Sequence, residues 1–446
     1  MIFLNKETEL TVELLQKMIN HFRVNIEPKL NKYKDYYDGK QAILRKSYSD
    51  ASKPCNRTVI NYCKNIVDAY AGYLATPSHI SYRSSQDIEE IMKVLKYNDY
   101  QTQDNELLLD ALIYGVGIEL MYCDGDGETR FRKINPTTAF GIFDDSLTND
   151  LLYFVRMYKA CDWDDSDTYN VDVYTDSMVK HFTMSGKNGS LKLVSEVEHY
   201  FNQCPANIFY LPDEKSIFEC VLTQQDSINE LVSAEIDDFS AFCDAYLTFT
   251  GGLDMDAEDI QTMKENRVLI LPEGVVANWL TKNVNDAQVE NMVKRLHDSI
   301  YRVAQCPDFS SESFIGGVSS GIAIQYRLTG METRAGIIEA LMKKALLRRV
   351  EIICGIASMT IGEEVFTDVQ IDFKRNIPAD INATIQIING LKGIVSDETL
   401  LAQLDFISDV NAEIEAVQAQ KAANMELYGF PAPEVEEDDE EEVSAE

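Results

Sequence analysis

The sequence predicts a protein of the α+β class, and three observations lead to that prediction. Residues 321–357 form one long helical pattern, in which apolar side chains recur every three or four residues. Residues 138–198 hold four short apolar segments separated by charged or glycine-rich turns, which is typical of an antiparallel sheet. Residues 216–247 and 287–305 are two further helical patterns around a compact insertion. At about 1.5 Å per residue the long helix spans roughly 55 Å. We therefore expect it to act as a rigid arm or to form one side of a larger structure, rather than to be a local core element.

The N-terminal part of the chain predicts three helices. Apolar residues at helical spacing run through residues 8–38, with an interruption at Pro28. A second amphipathic helix is predicted from residue 56 until Pro77 ends it. A third helix is predicted over residues 86–112.

Strand and turn signals dominate the segments between the helices. The sequence DGDGE at 124–128 lies between two strand patterns and indicates a β-hairpin. Residues 201–216 contain two prolines and predict irregular structure. The insertion at 251–286 predicts a short helix and two strands around a Pro-Glu-Gly turn. The C-terminal part predicts one strand and two helices, with Ser396 and Thr399 at a helix start.

Composition excludes several classes of function. Acidic residues outnumber basic ones by 74 to 40, and the net charge is −34. A protein that wraps nucleic acid needs clustered Lys and Arg, so this balance argues against such a role, although it permits DNA to pass without being gripped. Nine cysteines without a C-x-x-C pair predict reduced thiols. The N-terminus lacks the apolar stretch of a signal peptide and no apolar run approaches the ~20 residues of a membrane span, so we expect a soluble protein made in a cytosol.

Residues 216–247 carry an unusual row of acids. At 100° per residue, five carboxylates fall within an arc of roughly 40°: Glu219, Asp226, Glu230, Asp237 and Asp244. The stretch contains seven acidic residues and no Lys or Arg, whereas a solvated helix face normally mixes both signs. Two interpretations stay open: a solvated face of one helix, or the wall of a channel that several copies surround.

The sequence GVSSG at 317–321 formally matches the nucleophile elbow of serine hydrolases. The hydrolase triad needs a histidine after the serine, and the last histidine of this chain is His297, which precedes Ser319. The same glycines lack the Lys-Ser/Thr that ends a nucleotide-binding loop. We therefore expect neither catalysis by Ser319 nor nucleotide binding.

The sequence does not indicate a metal site or any other cofactor. Residues 124–128 resemble a calcium loop, but the loop lacks glycine at its sixth position and has Asn135 where the twelfth position needs glutamate. The five histidines have neither metal-ligand spacing nor a neighbouring cysteine pair. We predict no cofactor and no active site.

Taken together, several blocks of the sequence resemble the portal proteins of tailed bacteriophages, of the SPP1 type. The blocks are YYDGKQAI, NRTVINYCKNIVDAYAGYL, YGVGIELMY with GETRFRKINP and YFVRMY, SGIAIQY at the start of the long helix, and IDFKRNIPAD with GIVSDETLLAQL. The resemblance covers about residues 8–425 and rests on the order and spacing of the blocks. One departure is Ala75-Thr76-Pro77, where the family more often has glycine before the proline.

The resemblance implies a portal-type fold and a division of the chain into named parts. The parts are an N-terminal α+β wing at 1–215, stem helices at 216–250 and 287–306, a clip at 251–286, a tunnel loop at 307–320, a long helix with a wing strand at 321–375, a helical crown at 376–430 and a disordered acidic tail at 431–446.

The resemblance also implies three groups of functional side chains. The tunnel loop would face DNA through Ser310, Ser311, Glu312, Ser313, Phe314, Ile315, Gly316, Gly317, Val318 and Ser319. The acidic row named above would line the tunnel. Basic residues of the long helix are expected to contact neighbouring subunits, the scaffold or packaged DNA: Arg327, Arg334, Lys343, Lys344, Arg348 and Arg349. For Phe314 and Ile315, packing against a neighbouring subunit is the alternative.

The function that the resemblance implies is a dodecameric ring at one capsid vertex. Such a ring passes double-stranded DNA during packaging and ejection, and it contacts terminase, scaffold, major capsid protein and a head–tail adaptor. The expected locations are the virion and, during assembly, the host cytoplasm. The alternatives are another capsid or connector protein without a DNA channel, and a serine hydrolase that uses Ser319.

Overall fold

The computed structural model describes residues 1–49, 53–74, 80–159, 167–186, 189–242, 246–250, 276–280, 286–311, 321–356, 365–375, 381–401, 404, 413–414 and 416–421. The chain forms two compact units, residues 1–318 with 322–376, and residues 319–321 with 377–446. The first unit contains both helices and antiparallel sheets, so the prediction of a mixed α+β protein is confirmed.

The first elements are β1 (Ile2–Leu4), α1 (Val12–His21), a π-helical turn (Phe22–Ile26) and α2 (Glu27–Tyr37). Thr11 caps α1 by accepting a hydrogen bond from the N–H of Leu14 at 3.3 Å. The predicted interruption at Pro28 is a change of helix type: the π-helical turn at Phe22–Ile26 separates α1 from α2, and the backbone stays helical through it. Pro28 stands in the first turn of α2, where its missing N–H is tolerated.

The next elements are α3 (Tyr62–Leu74), β2 (Ile80–Arg83), α4 (Glu89–Tyr97) and α5 (Tyr100–Tyr114). The predicted second helix is therefore too long at its start, because residues 53–61 are not helical. The predicted third helix is in fact two helices. They are separated at Asp99, whose φ of 52° lies in the left-handed region.

The strands that follow are β3 (Val116–Cys123), β4 (Thr129–Lys133), β5 (Ala139–Asp144), β6 (Leu151–Lys159), β7 (Thr168–Tyr174), β8 (Met178–Ser185), β9 (Leu191–Glu198) and β10 (Ala206–Tyr210). The hairpin at 124–128 is confirmed, since β3 and β4 pair antiparallel around it. The predicted antiparallel sheet of four strands is confirmed as β6–β9, and the same sheet also contains β5 and, as a parallel edge strand, β1. Our prediction of irregular structure at 201–216 was wrong for β10, which pairs with β3.

A close approach of two backbones joins the end of α5 to the segment around Lys215. Gly115 ends α5 with φ +79°, and a Cβ there would lie 2.6 Å from the carbonyl carbon of Lys215. Only glycine combines this dihedral angle with this contact. The neighbouring core contains Phe22 stacked on Phe140, with ring centroids 4.9 Å apart.

The remaining elements of the first unit are α6 (Leu222–Phe242), β11 (Tyr246–Thr250), β12 (Val276–Leu280), α7 (Asp286–Val303), α8 (Gly321–Cys354) and β13 (Gln370–Phe373). The predicted apolar row of the long helix is confirmed, because Leu328, Met331, Ala335, Ile338, Met342 and Ala345 are all buried. The predicted strand near residue 370 is also confirmed, and β13 pairs with the distant β2.

The second unit contains α9 (Ile381–Leu391) and α10 (Asp397–Leu401). The helix start predicted at Ser396 is confirmed, since its hydroxyl accepts the N–H of Thr399 at 3.3 Å. Gly393, with φ +84°, lies between the two helices. The predicted acidic tail at 431–446 lies outside the described residues.

Candidate functional site: a helix pair bound by an extended strap

The helices α6 and α7 form an antiparallel pair. Gln224 on α6 donates to the hydroxyl of Ser299 on α7 at 3.4 Å, and the thiol of Cys220 lies 3.9 Å from the carbonyl oxygen of Val303. Beyond the pair, β11 and β12 are joined as an antiparallel ladder, with Thr250 opposite Val276. The chain therefore leaves along α6, passes through a strand pair and returns along α7.

One side of α6 carries a row of buried polar side chains, which we call the polar row. Its members are spaced by four residues: Gln225, Asn229, Ser233 and Asp237. The first three are 0% exposed and Asp237 is 9% exposed. Because buried polar groups cost free energy unless they are hydrogen-bonded, the row needs a partner along its whole length.

The partner is the extended segment 56–62, which we call the strap. Alternate N–H groups of the strap donate to successive members of the polar row. The four bonds are Asn56 N to Asp237 Oδ1 at 2.6 Å, Thr58 N to Ser233 Oγ at 3.0 Å, Ile60 N to Asn229 Oδ1 at 2.9 Å and Tyr62 N to Gln225 Oε1 at 3.1 Å. Gln225 also donates back to the carbonyl oxygen of Ile60 at 2.6 Å.

The match between strap and helix follows from two backbone repeats. Two residues of an extended chain advance about 6.6 Å, and four residues of an α-helix advance about 6 Å. A helix with one acceptor per four residues can therefore satisfy every second N–H of an extended strand. The strap needs no neighbouring strand, and its attachment to α6 depends mainly on its backbone, with one added side-chain bond from Asn56 Nδ2 to Asp237 Oδ1 at 2.8 Å.

This arrangement contradicts the prediction that the carboxylates of α6 form one continuous exposed row. Asp237 faces the strap: burial acts to raise the pKa of Asp237, but hydrogen bonds from Asn56 and the charge of Lys46 hold it below its usual range. Asp226 accepts the hydroxyl of Tyr36 at 2.7 Å. The periodicity of one helix could not reveal that another segment of the chain covers this side.

The other members of the predicted acidic row do not form a continuous exposed acidic face either. Glu219 is partly buried, with the ammonium of Lys215 at 3.8 Å. Glu230 is exposed. Asp244 lies outside the described residues. Of the four members that the structure describes, only Glu230 has the exposure that a continuous acidic face requires.

Only the start of the predicted tunnel loop is described. Asp308 organises it: its carboxylate accepts the N–H of Ser310 at 3.0 Å and the Ser310 hydroxyl at 2.6 Å. The same carboxylate lies 3.5 Å from Nε2 of His297 on α7. Ser311 donates to the Asp308 carbonyl oxygen. Glu312, Ser313, Phe314, Ile315, Gly316, Gly317, Val318 and Ser319 lie outside the described residues.

The prediction that Arg349 contacts a neighbouring subunit, the scaffold or DNA is also contradicted. Its side chain is 0% exposed and binds Glu119 through Nη2 at 2.6 Å, and it also donates to Asp104. Its guanidinium lies 4.4 Å from the ring centroid of Phe131. A side chain enclosed by its own subunit cannot reach DNA or a neighbour. The two carboxylates are more than two hundred residues away in sequence, so spacing along α8 gave no signal of this cluster.

The other basic residues of α8 differ from one another in their surroundings. Arg334 donates to the carbonyl oxygens of Ala304 and Ile217, at 3.1 and 2.8 Å, and so connects α8 to the end of the helix pair where α6 begins and α7 ends. Lys343 and Arg348 form ion pairs along the helix with Glu339 and Glu351. Arg327 and Lys344 are exposed.

The calcium-like segment forms a closed turn. The carboxylate of Asp124 accepts the N–H groups of Asp126 and Glu128, and it also accepts Nε of Arg130 at 3.1 Å. Burial acts to raise the pKa of Asp124, but these bonds hold it below its usual range. Across the described ranges, no three His, Cys, Asp or Glu side chains are grouped as metal ligands. The helices within those ranges include none long and apolar enough to cross a bilayer.

Comparison with known proteins gives one family. The family described as "Phage portal protein, SPP1 Gp6-like" matches residues 16–427. The portal protein of Bacillus phage SPP1 is 20% identical to this chain over 419 residues, which cover 89% of this chain and 82% of the phage protein. The family is structural and not enzymatic, which removes the hydrolase alternative. Because the family match spans nearly the whole sequence, the chain belongs to the phage portal proteins of the SPP1 type.

Proposed function

We propose that the chain assembles into a closed dodecameric ring at one vertex of a phage capsid and passes double-stranded DNA through the axis of the ring. Membership of the portal family supports this role, because the family match extends over residues 16–427. The observation that carries the proposal furthest is the α6–β11–β12–α7 excursion bound by the strap. It supplies an antiparallel helix pair of the kind that a ring needs for a stem.

In this proposal the parts keep their expected ranges, with one correction: the helix predicted over 216–250 ends at Phe242, and Tyr246–Thr250 is β11, which pairs with β12. The wing comprises 1–215, the stem 216–250 and 287–306, the clip 251–286, the tunnel loop 307–320, the long helix with its wing strand 321–375 and the crown 376–430. Residues 431–446 form the acidic tail. The clip docks terminase during packaging and a head–tail adaptor afterwards. The wing and crown meet the scaffold and the major capsid protein, first in the host cytoplasm and then in the virion.

In this proposal the repulsion of DNA comes from the net charge of the whole ring and not from a continuous row of carboxylates on α6. The chain carries a net charge of −34, so a ring of such subunits repels phosphate as a whole and DNA slides without adhering. The carboxylates of α6 contribute to this field but do not form its wall. The tunnel loop, with Phe314 and Ile315, supplies the closest contacts to DNA. Arg327 and Lys344 remain the basic side chains of α8 proposed to meet a neighbour or DNA.

The chain is not proposed to drive packaging itself. Its glycine-rich loop lacks the Lys-Ser/Thr that binds nucleotide phosphates, so a separate terminase supplies ATP hydrolysis. The ring is a conduit and a gate, and the ring does no covalent chemistry.

Negative-stain electron microscopy with a mass measurement tests the proposal. We expect rings with an axial hole and the mass of a dodecamer, or of a closely related ring, for the purified protein alone or after coexpression with scaffold. Discs without a hole would favour the alternative of a connector without a DNA channel. A monomer that stays monomeric with scaffold would contradict both.

A further inference from the structure

The segment that leads into the strap, residues 42–57, is basic in a strongly acidic protein, and Arg57 at its end is the basic residue of the strap itself. Residues 42–57 contain four basic residues and one acidic residue, whereas acids outnumber bases 74 to 40 over the chain. Lys46 is bound to Asp237. Arg45, Lys53 and Arg57 are exposed and form no ion pair with any residue that the structure describes. The Arg57 side chain is oriented by Nε, which donates to the Lys46 carbonyl oxygen at 2.9 Å.

The strap changes its position around α6 along its length: its last residue, Tyr62, contacts the rings of His297 and Tyr301 on α7, whereas its first residues lie on the side of α6 opposite to α7. Gln224 faces α7, and at 100° per residue Asn229 and Ser233 point about 140° and 180° away from it. At the level of Asn229 and Ser233 the order is therefore strap, α6, α7. At that level one outer flank is the strap with Arg57, and the other outer flank is the side of α7 that faces away from α6.

The outer flank of α7 presents an acid. Glu290 lies about 180° around the helix from Ser299, which faces α6, and it is exposed. Glu290 forms no ion pair within the described part of the chain. Lys294 follows one turn later on a similar side and is also exposed. The two opposite charges of α7 therefore lie at different heights along the stem.

Arg57 and Glu290 lie at the same level along the axis of the helix pair. The contacts of residue 224 with 299 and of 220 with 303 fix the register of the antiparallel pair, and they place residue 233 of α6 level with residue 290 of α7. Ser233 receives the N–H of Thr58, so Arg57 lies at that level to within about one residue step, roughly 3 Å. Lys294 is level with Asn229, about 6 Å away.

We infer that the helix pairs of neighbouring copies stand side by side along the ring axis, and that Arg57 of one subunit pairs with Glu290 of the adjacent copy. Rotation about such an axis preserves height, so it brings the strap of one subunit to the α7 flank of the next at equal levels, and the strap around Arg57 is the docking surface for that copy. Opposite charges at one height set the vertical register between subunits, and like charges there oppose assembly. This inference rests on the proposed ring.

The test exchanges the two charges in the full-length chain. We expect Arg57→Glu and Glu290→Arg each to lower the ratio of ring to monomer at least tenfold, measured by mass photometry at moderate salt. The double variant Arg57→Glu/Glu290→Arg should recover the ratio to within about threefold of wild type. Arg57→Lys, which keeps the charge, should retain the ring and shows whether the strap tolerates a change at this position.

The matched control is Arg57→Glu combined with Glu230→Arg. It makes the same change of charge but places the new arginine on exposed α6 instead of α7. It should not restore the ring. If the single variants assemble like wild type, or if Glu230→Arg rescues as well as Glu290→Arg, the inference is wrong while the ring stands. If wild type itself forms no ring with or without scaffold, the proposed function fails first.

Discussion

Replacing Asn229 by alanine tests the hydrogen bonds between the strap and α6 at the middle of the polar row. The Asn229 side chain is fully buried; Oδ1 accepts from the Ile60 N–H at 2.9 Å, and Nδ2 donates to Gln41 Oε1 at 2.5 Å. Alanine leaves the Ile60 N–H and the Gln41 oxygen without partners. Each buried group left unpaired costs about 1–3 kcal/mol, so we expect a loss of about 2–6 kcal/mol.

Hydrogen exchange measures this loss where it occurs. A loss of about 2 kcal/mol or more corresponds to roughly thirtyfold faster exchange of the strap amides, provided that the strap opens separately from the rest of the fold. Ser227→Ala is the control, because Ser227 is exposed on the same helix and donates only to the Thr223 carbonyl oxygen. We expect that control to change stability by less than about 0.5 kcal/mol. Equal protection of residues 56–62 in both variants would refute the backbone-binding account.

Four further predictions follow from other contacts. Ile60→Pro removes a bonded N–H and should cost about 1–3 kcal/mol, whereas Val59→Pro should cost less, because its N–H does not bond to the polar row; thermal melting compares the two. Arg349→Met leaves two buried carboxylates without their cation, so denaturant unfolding should show a loss of about 3–5 kcal/mol. Burial raises the pKa of Asp110 from 3.8 to about 6, so the folded state holds this proton more tightly and wild type loses stability as pH rises from about 4 to about 7. Asp110→Asn should therefore melt higher than wild type at pH 7.5, with the difference vanishing near pH 4, and an unchanged difference across that range would contradict the assignment. Gly115→Ala should cost more than about 2 kcal/mol in a denaturant titration, because positive φ and a backbone contact act together, and a neutral result would contradict the close approach.

The attachment of the strap to α6 could not be predicted from the sequence, because it joins segments that are far apart in the chain. The spacing of apolar residues located α7 and α8 almost to their ends, because a helix that buries one side repeats its apolar residues every three or four positions. The same reasoning extended the helix at 62–74 back to residue 56. The segment NRTVINY contains apolar residues that fit a helix, but its N–H groups are taken by side chains more than 160 residues away. Local propensity does not include such a partner.

The side chains of the candidate site show the same limit. Asp237 and Arg349 were assigned to contact faces because their charge and spacing suit exposed positions, yet both are buried against residues distant in sequence. A signal for the polar row was present: Gln225, Asn229 and Ser233 repeat every four residues in a helix without Lys or Arg. Uncharged hydrogen-bonding side chains at that spacing are more consistent with a buried polar contact than with a solvated face.

The most direct test of the central claim is an asymmetric cryo-electron microscopy reconstruction of DNA-filled particles that contain this protein. The account predicts a ring of this chain at a single vertex, with the end of the packaged DNA inside its axial channel and the α6–α7 pairs around that channel. A reconstruction in which the protein occupies all vertices, or in which DNA ends elsewhere and the ring is closed along its axis, would contradict it.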